Sequence, residues 1–226
     1  MKIDVLTLFP EMFKGPFNQS IIKRAIDKKI IDIKIHDLRK WSEDKYKTVD
    51  GHPFGGGIGM VLMIKPIDKA LKELKTKKSK VILLSPQGEI FKQKTAKKLS
   101  LEKHLIFICG HYEGFDQRIR EHLIDQEISI GDYVLTGGEL PAMVIIDSIT
   151  RLIPKVLKKE QATEFESFTN QSLEYPQYTR PANFKGWKVP EILLSGDHKK
   201  IAHWQKEKEI EVTKKKRPDL IKKQFK

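Results

Sequence analysis

The residue types best suited to chemistry lie in three glycine-marked stretches: Ser85-Pro86-Gln87-Gly88, Gly110-His111-Tyr112-Glu113-Gly114 and Gly131-Asp132-Tyr133-Val134-Leu135-Thr136-Gly137-Gly138. Without a Cβ, glycine lets the main chain approach a ligand closely and offer N–H and C=O groups to a flat heterocycle. One such loop is ordinary turn chemistry. Three of them, each after a run that reads as a strand, point to one shared small-molecule site. A fourth cluster, Gly55-Gly56-Gly57-Ile58-Gly59 after Gly51-His52-Pro53-Phe54, lacks the Lys-Ser/Thr of a phosphate loop and the G-x-G-x-x-G spacing. ATP and nicotinamide cofactors are therefore disfavoured. The stretch around it, Leu38 to Lys65, is long for a loop in a compact domain, as lids, binding elements and disordered segments are.

Other reactive side chains are fewer. The seven histidines show no metal-ligand spacing, so no metal is assigned to them. The single cysteine, Cys109, excludes a disulfide framework within the chain and a thiolate zinc site, which fits a reducing cytoplasm. It ends an apolar strand and reads as a small buried hydrophobe, not a nucleophile. Asp147 and Arg151, four apart, have the spacing of an intrahelical ion pair. Glu166 reads as a solvated acid, and Asp132 and Asp116 as turn or cap residues.

The elements that must position these loops alternate. Ile3 to Leu8, Ile31 to Ile35, Val81 to Leu84, Leu105 to Cys109 and Ile128 to Ile130 are expected strands. Asn18 to Lys29, Pro66 to Lys77, Phe91 to Leu101 and Phe115 to Leu123 carry apolar residues at helical spacing. The fold class is α/β, with a mostly parallel sheet covered on both faces. Gly138 to Ile153 forms a very apolar helix ended by Pro154, and residues 154–183 read as a linker. In the following 184–226 segment, Asp197 caps one helix and Pro218 opens a last short one.

The 226 residues allow one domain or two small ones at roughly 150 residues each. The net charge of +13 points to a polyanionic partner, with nucleic acid first. Only seven of the 43 basic residues are Arg, so the field is largely that of Lys. Lys65 to Lys80 and Lys206 to Lys226 each carry a net +5. The longest aliphatic run, Ala142 to Ile146, is far short of the ~20 residues of a membrane span. Met1-Lys2-Ile3-Asp4 and Pro10 do not read as a signal peptide, so a soluble, unprocessed protein is expected.

Longer stretches carry a specific likeness: Val49-Asp50-Gly51-His52-Pro53-Phe54-Gly55-Gly56-Gly57, Leu84-Ser85-Pro86-Gln87-Gly88, Cys109 to Gly114, and Ser129 through Gly131-Asp132-Tyr133-Val134-Leu135-Thr136-Gly137-Gly138-Glu139-Leu140-Pro141 to Ala142. They resemble the bacterial tRNA (guanine-N1)-methyltransferases, in order from Leu8-Phe9-Pro10 to Leu194-Ser195-Gly196. The resemblance implies an S-adenosylmethionine enzyme of the SPOUT superfamily that methylates the guanosine at tRNA position 37. It further implies a cytoplasmic homodimer with a deep trefoil knot, tRNA carrying guanosine at 36 and 37 as partner, and Mg²⁺ dependence, for which the sequence offers no site. Three segments are then expected: a knotted donor-binding catalytic domain (1–153), a linker (154–183) and a small helical tRNA-binding domain (184–226). Donor contacts fall, by the same resemblance, on Leu84, Ser85, Gly110, Tyr112, Glu113, Ile130, Gly131, Asp132, Tyr133, Val134, Leu135, Gly137, Gly138 and Pro141. Asp50, Gly55, Gly56 and Gly57 are implied to admit and hold the target guanine.

Guanine N1 carries a proton at neutral pH, so methylation there needs a base, and negative charge grows on O6 as the proton leaves. A guanidinium can stabilise that charge by oxyanion-hole logic. The resemblance supplies Arg151 for O6 and a linker acid for the proton. The family has Asp immediately before a Ser-Phe pair, whereas this chain reads Glu164-Phe165-Glu166-Ser167-Phe168. Glu166 is thus the expected base and Glu164 the fallback. Two rivals have different consequences: a knotted methyltransferase acting on another RNA site, and a noncatalytic RNA-binding protein on the same scaffold.

Overall fold

The computed structural model describes residues 1–158, 163 and 166–221. They fall in two compact units, Met1–Lys158 and Lys159–Lys226.

The first unit is built on five strands: β1 (Lys2–Thr7), β2 (Asp32–Asp37), β5 (Ser79–Ile90), β6 (His104–Cys109) and β7 (Gln126–Ser129). They pair in the order β2-β1-β6-β5-β7, every pair parallel. A parallel strand covered on both faces needs an unbroken apolar run, and all six residues of β6, HLIFIC, are buried. Side chains alternate between faces along a strand. Ile3, Val5, Ile82, Leu84, Leu105 and Phe107 therefore join one core, and Leu6, Val81, Leu83, Ile106 and Ile108 another.

Helices α1 (Lys14–Phe17), α2 (Ser20–Asp27), α4 (Gln93–Leu99) and α6 (Glu139–Thr150) give Phe17, Ile22, Leu99 and Ile145 to the first core. Helices α3 (Ile64–Leu74) and α5 (Gln117–His122) give Ile67, Leu71 and Ile119 to the second. The expected strands and helices are thus all present, with ends shifted by a few residues.

Two departures have physical reasons. The stretch Leu38 to Lys65 is tethered: a 3₁₀ turn over Leu38–Trp41 and an antiparallel hairpin of β3 (Asp50–Gly51) and β4 (Val61–Leu62) bury Leu38, Trp41, Val49 and Leu62 in the second core. Trp41 Nε1 also donates to Glu73 Oε2 at 2.7 Å. Strand β5 runs well beyond Leu84. Leu84 and Glu89 both pair with Ile128, so residues 85–88 arch over the end of β7. Only glycine fits at Gly88, where a Cβ would lie 2.4 Å from the Ile128 nitrogen.

In the second unit, a two-stranded hairpin of β8 (Asn183–Phe184) and β9 (Trp187–Lys188) precedes α7 (Glu191–Leu194), α8 (His198–Lys216) and α9 (Pro218–Ile221). Asp197 caps α8, accepting from the Lys200 N–H at 3.1 Å. Residues preceding the hairpin pack on α8. Ser172 Oγ donates to Glu209 at 2.6 Å, and the Leu173 N–H donates to the buried Thr213 hydroxyl at 2.9 Å.

Candidate functional site

The three glycine-marked loops converge at the carboxyl edge of the sheet around a cavity of about 280 Å³. Small-molecule sites start near this size, about 300 Å³. Of the expected donor-binding residues, Leu84, Ser85, Gly110, Tyr112, Glu113, Ile130, Gly131, Tyr133, Val134, Leu135, Gly137, Gly138 and Pro141 line it. Asp132 does not. Gln87, His111 and Thr136, within the glycine-marked stretches though not among the expected donor contacts, also line it, and Phe115 and Arg120, outside those stretches, complete the same wall.

Close main-chain approach shapes this wall. A Cβ on Gly138 would sit 2.7 Å from both Cys109 Cα and the Gly110 nitrogen, while the Gly138 N–H donates to the Gly110 carbonyl at 2.9 Å. The third loop is thereby pressed onto the end of β6. Tyr112 holds φ at +58°, a region costly for a bulky residue, where strain gathers at ligand-binding positions. Tyr133 and Val134 are exposed at the rim, and among the described residues the buried His111 Nδ1 has no hydrogen-bond partner.

The hairpin β3–β4 is stitched to the second loop. The Glu113 N–H donates to the Met60 carbonyl at 3.0 Å and the Leu62 N–H to that of Gly114 at 2.9 Å. Gly55, Gly56 and Gly57 occupy its exposed tip, beside the fully exposed Phe54 and Ile58. They do not line the cavity, but Asp50 at its base lies near the Tyr112 phenol. Burial and the Asp50 charge push the Tyr112 phenol up from its ordinary range, with Arg39 opposing.

Burial and the charge of Glu139 push the Cys109 thiol well up, so it stays protonated and inert. Arg151 ends α6 as its half-buried C-cap, with its N–H donating to the Asp147 carbonyl at 3.2 Å. Glu166 belongs to the second unit, half-buried, its carbonyl accepting from the Thr169 N–H at 3.1 Å. Glu164 lies outside the described residues.

Several lysines of the two basic stretches are held in ion pairs. Within Lys65 to Lys80, Lys69 pairs with Glu43 at 2.7 Å, Lys72 with Asp68 at 2.7 Å and Lys75 with Asp125 at 3.8 Å. By contrast Lys92, Lys94, Lys97, Lys98 and Lys103, on and around α4, are exposed and have no acidic partner among the described residues. In α8, Lys206 pairs with Glu209 at 3.1 Å, and Lys208 pairs with Glu211.

A parallel sheet with a glycine-walled cavity at its carboxyl edge defines an α/β protein whose candidate small-molecule site is lined largely by loop main chain. The sequence model described as tRNA (Guanine-1)-methyltransferase TrmD matches residues 1–223. The chain is 55% identical over 223 residues to the tRNA (guanine-N(1)-)-methyltransferase of Dictyoglomus turgidum, covering 99% of this chain and 91% of that protein. It is 56% identical over 222 residues to the enzyme of that name from Staphylococcus carnosus (98% and 91% covered). Against that of Bacillus subtilis the identity is 54% over 225 residues (98% and 93%). The chain belongs to the tRNA (guanine-1)-methyltransferase family.

Proposed function

We propose that the protein transfers a methyl group from S-adenosyl-L-methionine to N1 of the guanosine at tRNA position 37, next to the anticodon. The observation that carries this reading is the cavity, which is walled by the same loops that bear the family likeness. Its chemistry fits an adenosine-bearing donor. Main-chain groups of residues 130–135 face the heterocycle, Leu84, Leu135 and Pro141 supply apolar contact, and Gly110, Gly137 and Gly138 leave room for it. When bound, the donor supplies an electrophilic methyl group.

The chain supplies the rest. The Glu166 carboxylate takes the proton from guanine N1, freeing a lone pair for the methyl. The Arg151 guanidinium faces O6 as negative charge develops there. Asp50 and the Gly55–Gly57 tip hold the base, an assignment supported by the hydrogen bonds that fix this hairpin against the donor loop. A positioned base gives about 10² to 10⁴ in rate, whereas alignment of the reacting atoms is worth roughly 7 to 11 kcal/mol. Positioning is the larger contribution.

Around this centre the reading includes the SPOUT fold with a deep trefoil knot. It is supported by the arch of residues 85–88 over β7 and by the return of Gly138 against Gly110. Residues 1–153 form the catalytic domain, 154–183 the linker and 184–226 the helical tRNA-binding domain of a cytoplasmic homodimer. The dimer is supported by α6, which buries most of its surface yet leaves Leu140 and Val144 in water. The unpaired lysines around α4 support a phosphate-binding surface. Among the described residues no helix is long and apolar enough to cross a membrane. Mg²⁺ completes the proposal as a requirement tested by chelation.

The test is incubation with radiolabelled S-adenosylmethionine and a tRNA transcript carrying guanosine at 36 and 37. Label should enter the RNA, and replacing the guanosine at 37 should abolish it. No incorporation with Mg²⁺ present and tRNA bound contradicts the assignment.

A further inference from the structure

Arg120 of the cavity wall is held from behind by an ion pair with Glu127 that neither composition nor resemblance singled out. Glu127, on β7, accepts through one oxygen, Oε1, from Ser85 Oγ at 2.5 Å and from Arg120 Nε at 2.9 Å. Ser85 Oγ in turn accepts from the Gln87 N–H at 3.0 Å, fixing the arch that forms the first donor loop. Arg120 reaches the other way. Its Nη1 donates to the Phe115 carbonyl at 3.4 Å and its guanidinium lies 5.7 Å from the centre of the Phe115 ring. Phe115 closes the second donor loop, and its ring lies so near Gly110 that a Cβ there would stand 2.8 Å away.

Both charged side chains are largely buried, Arg120 at 14% and Glu127 at 19% exposure, where charge-assisted hydrogen bonds are least screened. We propose that Glu127 is a positioning residue for methyl-donor binding, acting through Ser85 and Arg120 to lock the first two donor loops to β7, from which the third departs. The inference rests on the donor reading above. It also gives Ser85 a definite part: its hydroxyl hydrogen is committed to Glu127, so it serves the donor through its main chain and through the shape of the arch.

The test is a double-mutant cycle in the full-length protein, read by calorimetric binding of S-adenosylhomocysteine. Melting temperature and tRNA affinity serve as controls. Glu127→Gln keeps the shape and removes the charge. It should weaken binding by about ten- to a hundredfold, the scale of one lost charge-assisted hydrogen bond, with tRNA affinity unchanged and the melting temperature lowered by the unpaired Arg120 charge but the fold retained. Ser85→Ala should also weaken binding, and the double variant should be no weaker than the worse single one, because the two act as a unit. Additive losses, or wild-type affinity in Glu127→Gln, overturn the proposal. A joint fall of both affinities and the melting temperature does so too, since it marks a general structural role. If Glu127→Gln does not fold, Arg120→Lys decides: it keeps the charge but loses the planar fork that reaches Glu127 and Phe115 together, and it must show the same selective loss. Failure of the wild type to bind S-adenosylhomocysteine would overturn the donor reading itself, whereas normal wild-type binding with unaffected variants overturns this inference alone.

Discussion

Glu166 places its carboxylate about one methylene further from the main chain than the Asp expected there from the family pattern. A misplacement of that order, about 1 Å, can lower a rate about 100-fold, so the surrounding backbone has to compensate. Glu166→Ala should slow single-turnover methyl transfer by about 10² to 10⁴ without abolishing it, while Glu166→Asp, one methylene short in a backbone fitted to Glu, should lose up to about 100-fold. Rapid-quench kinetics at saturating tRNA separates the two, and an unimpaired Glu166→Ala would remove Glu166 from the proton transfer. Far from this chemistry, Asp4 is fully buried on β1 between His36 at 2.7 Å and His104 at 2.6 Å, with Lys2 at 2.8 Å. Burial alone would raise its carboxyl, but hydrogen bonds from His36, Lys2 and His104 outweigh that and hold it well below the usual carboxylate range. A depressed carboxylate stabilises the fold above its unfolded pKa, near 3.9, and that contribution is lost as pH falls toward the folded value. Asp4→Asn should be less stable at neutral pH and should lose less stability on acidification to about pH 3 than the wild type. Urea unfolding across that range checks both signs.

Among the elements, α6 has the least conventional pattern for a surface helix. Its exposed strip runs Leu140, Val144 and Asp147 toward Arg151, so apolar surface sits beside a residue assigned to catalysis. Val144→Asp should convert a particle of two chains into one of a single chain by light scattering, and should lower activity with it. A wild-type mass of one chain contradicts the pairing. The strands that position the site were legible in sequence because parallel strands covered on both faces are unbroken apolar runs, as in β1 and β6. The continuation of β5 to Ile90 was not, because Ser85-Pro86-Gln87-Gly88 reads as a turn and only its wrapping over β7 makes the chain extended again. The β3–β4 hairpin was missed for another reason: two residues per strand leave no period to detect. The donor loops were legible through their glycines, but Arg120 and Glu127 were not. They are seven apart, and the tertiary fold alone joins both to Ser85.

For the whole molecule, the net charge of +13 has a distribution that composition hides. The lysines of α3 pair with Glu43 and Asp68, and Lys75 just beyond it with Asp125, whereas among the described residues those around α4 have no acidic partner. If this charge serves a polyanion, binding should weaken steeply with salt. The central claim, methylation of N1 of guanosine 37, has a direct reading in primer extension on tRNA treated with the protein and S-adenosylmethionine. A methyl on N1 blocks the pairing edge, so reverse transcription should stop beside position 37 only when donor and enzyme are both present. A stop at another nucleotide, or read-through despite methyl incorporation, would contradict the claim.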